Sequence, residues 1–221
     1  MRDYRKLATL FAVASACLAA TSTAAPAISA STRATGAIAC TQLSPTQLQS
    51  TLGLSQSTVL RNYDPTGPSS NVVDTECDWG VWSGAAPTNT TAMFALARSG
   101  HAAQIAIETW APHKGHEQGW VGKDYDKLTR DLRSHSLAFP GLFSSQGLAA
   151  HTLHPPQLGH SGTGFTTAAP GLAKGLTVTI GCWWEDKSHK AICIFDEEAA
   201  SRPVTAHMLQ FARIAVSKFL G

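Results

Sequence analysis

The sequence predicts an α+β fold: an antiparallel β-sheet of about five or six strands, packed by a short N-terminal helix and a longer C-terminal helix. Three observations carry this prediction. Four cysteines follow the leader, strand-like runs alternate with short turns, and an apolar stripe at helical spacing closes the chain. We expect residues 39–221 to form a single domain with two disulfides, after a signal peptide at 1–30 and a flexible tail at 31–38.

The leader has the layout of a secretory signal peptide. Arg2, Arg5 and Lys6 precede the uncharged stretch 7–20, and small residues suited to cleavage follow, with Ala30 as one possible cleavage position. The apolar stretch is shorter than the ~20 residues that a membrane-spanning helix needs. We therefore expect a soluble protein that is secreted to the extracellular space.

Cys17 leaves a second route open. Bacterial lipoproteins are cleaved before a cysteine that then receives lipid, which would anchor this protein to the outer face of the membrane. The position three residues before Cys17 holds Ala14, whereas lipoproteins usually have a large aliphatic residue there. The soluble secreted product is therefore the favoured prediction.

The charge balance excludes one class of partner. Removing residues 1–30 takes three of the 17 basic and one of the 15 acidic residues, which leaves 14 of each and a formal charge of zero. A neutral chain argues against a large basic surface for nucleic acid or an anionic membrane. No later apolar run is long enough to predict a transmembrane span.

Cys182 and Cys193 are spaced to form a cross-strand disulfide. Residues 176–184 and 190–195 have strand-like patterns, and a turn centred on residues 187–188 places the two cysteines directly opposite each other. The same register pairs Ile180 with Phe195 and Trp184 with Ala191. The cysteine spacing and the apolar pattern therefore agree on one hairpin.

Cys40 and Cys77 remain for a second disulfide, which would tie the first helix to the strand that carries Trp79. A four-cysteine zinc site is the alternative, but such sites usually contain close C-x-x-C pairs and this chain has none. We expect no metal bound by these sulfurs and no cofactor.

The remaining elements follow from capping and periodicity. Helix 45–52 begins with the capping-box pair Ser44 and Gln47, and strand 76–82 places Cys77, Trp79 and Val81 on one face. Further predictions are strands over 91–98, 103–110 and 148–153, loops over 112–122 and 137–147, a helix over 124–136 and irregular chain over 154–174.

The closing helix is predicted from an apolar stripe with helical spacing: Val204, Met208, Phe211, Ala215 and Phe219. We expect this stripe to pack on the same face of the sheet as the first helix. The acidic run Asp196-Glu197-Glu198 is expected to precede this helix and to favour its positive end.

The arrangement resembles a broad group of actinobacterial exported or lipoprotein-type domains of unknown function. The resemblance rests on Ala39-Cys40-Thr41-Gln42-Leu43-Ser44, on Cys77-Asp78-Trp79, on the cysteine hairpin and on the apolar last helix. The chain is also similar to the two-disulfide extracellular sensor domain of mycobacterial-type membrane serine/threonine kinases. The resemblance implies a cell-envelope location and a binding role, and it supplies no catalytic residues.

The candidate ligand-binding residues are Trp110, Trp120, His113 and His116. The two tryptophans flank a polar loop, and an aromatic-rimmed loop can hold a sugar or an apolar ligand. The alternative is that the rings fold back as anchors of the loop. His113 and His116, like His151, His154 and His160, have the spacing of metal ligands, but we expect surface histidines without a metal.

The predicted function is a noncatalytic binding or sensing module with an unknown cell-envelope or small-molecule ligand. A motif at 159–164 comes close to a hydrolase nucleophile elbow but has Thr163 where that motif needs glycine, so no catalytic residues are assigned. An exported hydrolase with a dispersed active site and a structural or interaction protein are the alternatives.

Overall fold

The computed structural model describes residues 38–64, 70–133, 163–170 and 174–221. Its strands are β1 Gln56–Tyr63, β2 Val72–Trp82, β3 Ala102–Pro112, β4 Thr163–Pro170, β5 Leu176–Glu185 and β6 Lys190–Ala199. They form one antiparallel sheet in the order β1-β2-β3-β6-β5-β4. Two three-stranded units therefore meet at the pair β3–β6, and the predicted α+β sheet is confirmed.

The helices are α1 Pro45–Leu52, α2 Thr90–Arg98, α3 Asp126–Arg133 and α4 Val204–Leu220. Helix α1 begins with the predicted capping box: Gln47 N donates to Ser44 Oγ, and Ser44 N donates to Gln47 Oε1 at 2.8 Å. None of the helices in the described ranges combines the length and apolar character that a membrane span requires.

Helices α1 and α4 cover one face of the sheet, as predicted. Their apolar residues join Cys77, Trp79 and Val81 in one core cluster. The α4 residues of this cluster include four of the five positions in the predicted stripe: Met208, Phe211, Ala215 and Phe219. Burial of these side chains provides the apolar driving force that fixes both helices on the sheet.

The opposite face is also covered, which the sequence did not predict. Helix α2 packs near Gly80, where an added Cβ would lie 2.6 Å from Met93 Cε, so a larger residue would require the Met93 side chain to move. Helix α3 and the turn before it pack on β3, β5 and β6 through Trp120, Tyr125, Leu128 and Leu132. The sheet therefore lies between two helical layers.

The prediction of a strand over 91–98 is wrong, because these residues belong to helix α2. Asn89 caps the helix, since its Oδ1 accepts a hydrogen bond from Ala92 N at 2.9 Å. The alanines in the segment also favour a helix over a strand. The weak strand pattern is overridden by the cap and by packing on the sheet.

The predicted loop over 112–122 is also partly wrong, because the chain becomes helical at Glu117. A single α-turn leads into a π-helical turn, Trp120–Tyr125, which continues into α3. Trp120 Nε1 donates to the His189 carbonyl at 2.7 Å, and Tyr125 Oη donates to Asp186 Oδ1 at 3.0 Å. Both side chains thus anchor this helical segment to the β5–β6 turn.

Strand β4 corrects the prediction of irregular chain over 154–174. Its glycine and proline content gives no strand pattern in the sequence. Residues 163–170 nevertheless pair with β5, with Thr163 opposite Trp184 and Pro170 opposite Thr177, and form an edge strand. Edge positions tolerate proline because one side of the strand makes no ladder hydrogen bonds. The predicted strand at 148–153 and the histidines at 151, 154 and 160 lie outside the described residues.

Both predicted disulfides are present, and they lie on opposite faces of the sheet. Cys182 and Cys193 are directly paired in the β5–β6 register, together with Ile180–Phe195 and Trp184–Ala191, as predicted. The Cys40–Cys77 bond joins the segment before α1 to β2. Each helical layer therefore has one disulfide in or beside its core.

Candidate functional site

The two tryptophans that the sequence places at an aromatic rim lie in the core. Trp110 on β3 is 1% exposed and Trp120 is 0% exposed. The hydrogen bond from Trp120 to His189 holds its ring as an anchor of the segment, which is the alternative that the sequence left open. A ligand role for these two residues stays a prediction.

His113 and His116 lie near each other in the short loop before the helical segment. Their ring centroids are 5.5 Å apart. Glu117 beside them is exposed, and the hydrogen bond that its carboxylate accepts from Gly115 N lowers its pKa. Among the described residues, one group of three His, Cys, Asp or Glu side chains has its ligand atoms within 4.8 Å of one another, and this group does not include His113 or His116. A ligand role for these histidines also stays a prediction.

A cluster of carboxyl groups occupies the part of β2 and β3 between α2 and α3. Asp74, Glu76 and Asp78 alternate along β2 and therefore share one side of the strand, and Glu108 on β3 is directly opposite Glu76. We call these four residues the carboxylate face. Arg61 on β1 lies beside them in register with Asp78, and its Nη1 is 3.8 Å from Glu76 Oε1.

The carboxylate face contains acceptor atoms that lack a hydrogen-bond donor. Glu76 and Glu108 are each 7% exposed, whereas Asp74 and Asp78 are half-buried. Glu76 Oε1, Asp78 Oδ1 and Glu108 Oε2 are buried and receive no hydrogen bond from the described part of the chain. A buried acceptor without a partner costs about 1–3 kcal/mol, so this surface favours a group that donates hydrogen bonds.

Burial also changes the acidity of these groups. It raises the pKa of Asp78 to about 8, and the charge of Glu76 adds to this effect. Burial raises the pKa of Glu108 well above its ordinary value, with a further contribution from Asp74. Burial raises the pKa of Glu76 as well, against the charge of Arg61. Asp78 therefore holds a proton at neutral pH, and Glu108 releases its proton at a higher pH than an ordinary glutamate does.

The stability of the domain is expected to fall as the pH rises. Asp78 binds more protons in the folded than in the unfolded chain, so its contribution is complete below its ordinary pKa of 3.8 and is lost as the pH rises through about 8. Thermal unfolding from about pH 5 to about pH 9 should show a falling midpoint. Asp78→Asn should flatten this slope, whereas Asp126→Asn, at an exposed position, should not. A midpoint that rises across this window would contradict the expectation.

A second polar cluster is buried on the other face, beneath α4. Asp196 and Glu198 alternate on β6 and are both 0% exposed, while the His207 side chain on α4 is 12% exposed. His207 Nδ1 lies 2.6 Å from Glu198 Oε1. We call these three residues the buried triad. The acidic run 196–198 thus forms the end of β6 and precedes α4 in the chain, as expected, and its effect on the positive end of the helix stays a prediction.

Arg202 holds this cluster in place. Its Nε donates to Glu198 Oε2 at 2.5 Å, its Nη1 donates to the Gly100 carbonyl at 2.7 Å, and its Nη2 donates to the Leu52 carbonyl. Burial acts to raise the pKa of Glu198, but the hydrogen bond with His207, the neighbouring Asp196 carboxyl and the charge of Arg202 hold it below its ordinary value of 4.5. Glu198 therefore stays ionised and does not contribute to the fall in stability above about pH 5.

Sequence reasoning missed the two polar clusters for different reasons. It expected helices on one face only, which left the face of Asp78 without a covering layer. It also ended the last strand at residue 195, which left Asp196 and Glu198 outside the sheet. A signal was nevertheless present, because Asp74, Glu76 and Asp78 alternate in a strand. Three acidic residues at every second position on one side of a strand indicate a shared site more strongly than a solvated surface, where opposite charges usually mix.

No family model, no curated protein and no solved structure matches this chain.

Proposed function

We propose that the protein is an exported, noncatalytic binding module whose carboxylate face takes a cationic group of a cell-envelope or extracellular ligand. The observation that carries this proposal is the set of three buried carboxyl oxygens that receive no hydrogen bond from the described residues. An ammonium or guanidinium group has several N–H donors and a positive charge, and its hydrogen bonds to carboxylates are stronger than neutral ones. The predicted signal peptide, the two disulfides and the resemblance to extracellular sensor domains support the location.

The spacing of the carboxylate face favours an organic cation over a bare metal ion. Residues directly opposite each other in antiparallel strands, such as Glu76 and Glu108, have Cβ atoms about 4.5–5.5 Å apart. No three donors of this face lie within 4.8 Å of one another in the described part of the chain. An amine or guanidinium can contact several of these carboxyls at hydrogen-bond distance, and Asp74 and Asp78, which are half-buried, provide access from solvent.

Binding of a cation should be linked to proton release. The cation favours the ionised carboxylates, whereas Asp78 is protonated at neutral pH because burial raises its pKa to about 8, and burial raises the pKa of Glu108 in the same direction. Affinity is therefore expected to rise as the pH increases through about 8. Ordinary surface carboxylates ionise near their pKa of about 4, so the affinity of a cation bound by them would not change in this range.

Isothermal titration calorimetry with spermidine, a flexible polyamine, tests the proposal. The disulfide-bonded protein should bind spermidine at least tenfold more tightly at about pH 9 than at about pH 6, with release of protons to the buffer. The double variant Asp78→Asn/Glu108→Gln keeps the shape of both side chains and should lose at least tenfold in affinity at the higher pH. The matched control is Asp126→Asn, which removes an exposed carboxyl and should leave binding unchanged. Equal affinities in the double variant and the wild type would reject the carboxylate face as the site.

A further inference from the structure

The buried triad has the donor set of a metal site. One oxygen from each of Asp196 and Glu198 and one nitrogen of His207 lie within 4.8 Å of one another, and this is the one group of its kind among the described residues. The carboxylates come from alternate positions of β6, and the imidazole comes from the first turns of α4. The three donors are therefore fixed by two packed elements and not by a loop.

Asp196 supplies a second, independent sign of a binding site. Its side chain is 0% exposed, and neither of its carboxyl oxygens receives a hydrogen bond from a described residue. Thr179 is directly opposite Asp196 in the β5–β6 ladder, and its buried hydroxyl also has no partner in the described ranges. Buried polar atoms are normally satisfied, so three unpartnered oxygens at one point indicate a position that accepts a ligand.

The charges around the triad suit a divalent cation. Asp196 and Glu198 bear two negative charges on this face when ionised, and Glu197, which points to the opposite face of the sheet, adds a weaker electrostatic effect on Asp196. Arg202 contacts Glu198 and offsets one of these charges. A divalent ion offsets the remaining negative charge and gives the oxygens of Asp196 a partner.

We propose that Asp196, Glu198 and His207 bind a Zn²⁺ ion between β6 and α4. Two carboxylate oxygens and one imidazole nitrogen form a known type of zinc ligand set, and the Thr179 hydroxyl or a water molecule can complete a tetrahedron. The ion would replace the proton between His207 Nδ1 and Glu198 Oε1. It would open that distance from 2.6 Å to about 3.3 Å, as two tetrahedral zinc bonds require. Because the site is buried, the metal acts as a structural link between α4 and the sheet. This inference is independent of the carboxylate face.

The test uses the wild-type protein, freed of metal with a chelator and then titrated with Zn²⁺. We expect one equivalent of zinc to remain bound after dialysis, measured by mass spectrometry of the metal, and a rise in the thermal unfolding midpoint. X-ray absorption of the zinc-loaded protein should show one imidazole and otherwise oxygen ligands. Two imidazole ligands would assign the ion to His113 and His116 and would overturn the proposal.

Variants provide the matched comparison. Asp196→Asn keeps the shape of the side chain and should reduce zinc affinity at least tenfold while the unloaded protein keeps its circular dichroism spectrum. His113→Ala/His116→Ala should bind zinc as the wild type does. If Asp196→Asn does not fold, the X-ray absorption of the wild type still decides, because its ligand count does not depend on a variant. A wild-type protein that retains no zinc would also overturn the proposal.

Discussion

Replacing Arg202 with methionine is expected to lower the free energy of unfolding by about 3–5 kcal/mol, the range for breaking a buried ion pair by removing one partner. The change leaves the ionised Glu198, which is 0% exposed, without its cation. It also removes the donors of the Gly100 and Leu52 carbonyls. Urea denaturation at neutral pH, followed by tryptophan fluorescence, measures the loss.

Two comparisons separate charge from packing in this experiment. Arg213→Met changes an exposed arginine of α4, the helix that follows Arg202, and should stay within about 0.5 kcal/mol of the wild type. The double variant Arg202→Met/Glu198→Gln removes both charges and should recover part of the lost stability, because an unpaired buried charge is costlier than no charge. Equal losses in Arg202→Met and Arg213→Met would show that Arg202 does not hold the cluster together.

Removing the Cys40–Cys77 disulfide is expected to cost about 4 kcal/mol, against about 3 kcal/mol for Cys182–Cys193. The two bonds close loops with sequence separations of 37 and 11, and a longer loop restricts the unfolded chain more strongly. Paired Cys→Ala variants compared by chemical denaturation measure both values under the same conditions.

The hairpin variant is the natural control for the longer bond. Its cysteines are already neighbours in a hydrogen-bonded ladder, so the strands remain paired without the sulfur link. The segment before α1 has fewer such contacts, although Ala39 N donates to Thr75 Oγ1 at 2.9 Å. A larger loss for the hairpin variant than for Cys40→Ala/Cys77→Ala would contradict the expected order.

The parts of the fold that the sequence predicts correctly are those specified by local patterns. The β5–β6 register follows from the alternation of apolar residues and from two cysteines symmetric about one turn. The start of α1 follows from Ser44 and Gln47, three residues apart, and the buried face of α4 follows from a helical stripe. In each case the interacting residues are close in the sequence or repeat with one period.

The parts that the sequence does not predict depend on partners that are distant along the chain. Trp120 has an aromatic side chain next to a polar loop, which suggests a ligand rim, but its partner is the His189 carbonyl, 69 positions later. Glu108 is an isolated acid in the sequence and becomes part of a site only through its pairing with Glu76. The buried triad likewise forms only when α4 folds over β6. Neither spacing nor composition encodes such pairings.

The order of the strands has a consequence for how quickly the chain can fold. Strands β1 to β3 and strands β4 to β6 are each neighbours in sequence, so each three-stranded unit can assemble from contacts of modest separation. The central strand pair β3–β6 instead places Trp110 opposite Ala191 and Gln104 opposite Glu197, and these partners are 81 and 93 positions apart in the sequence. Closing so long a loop carries a large entropic cost before any contact is gained. Docking of the two preassembled halves should therefore be the slow step, and export of the chain before that step would leave the β3 and β6 edges open to mispairing.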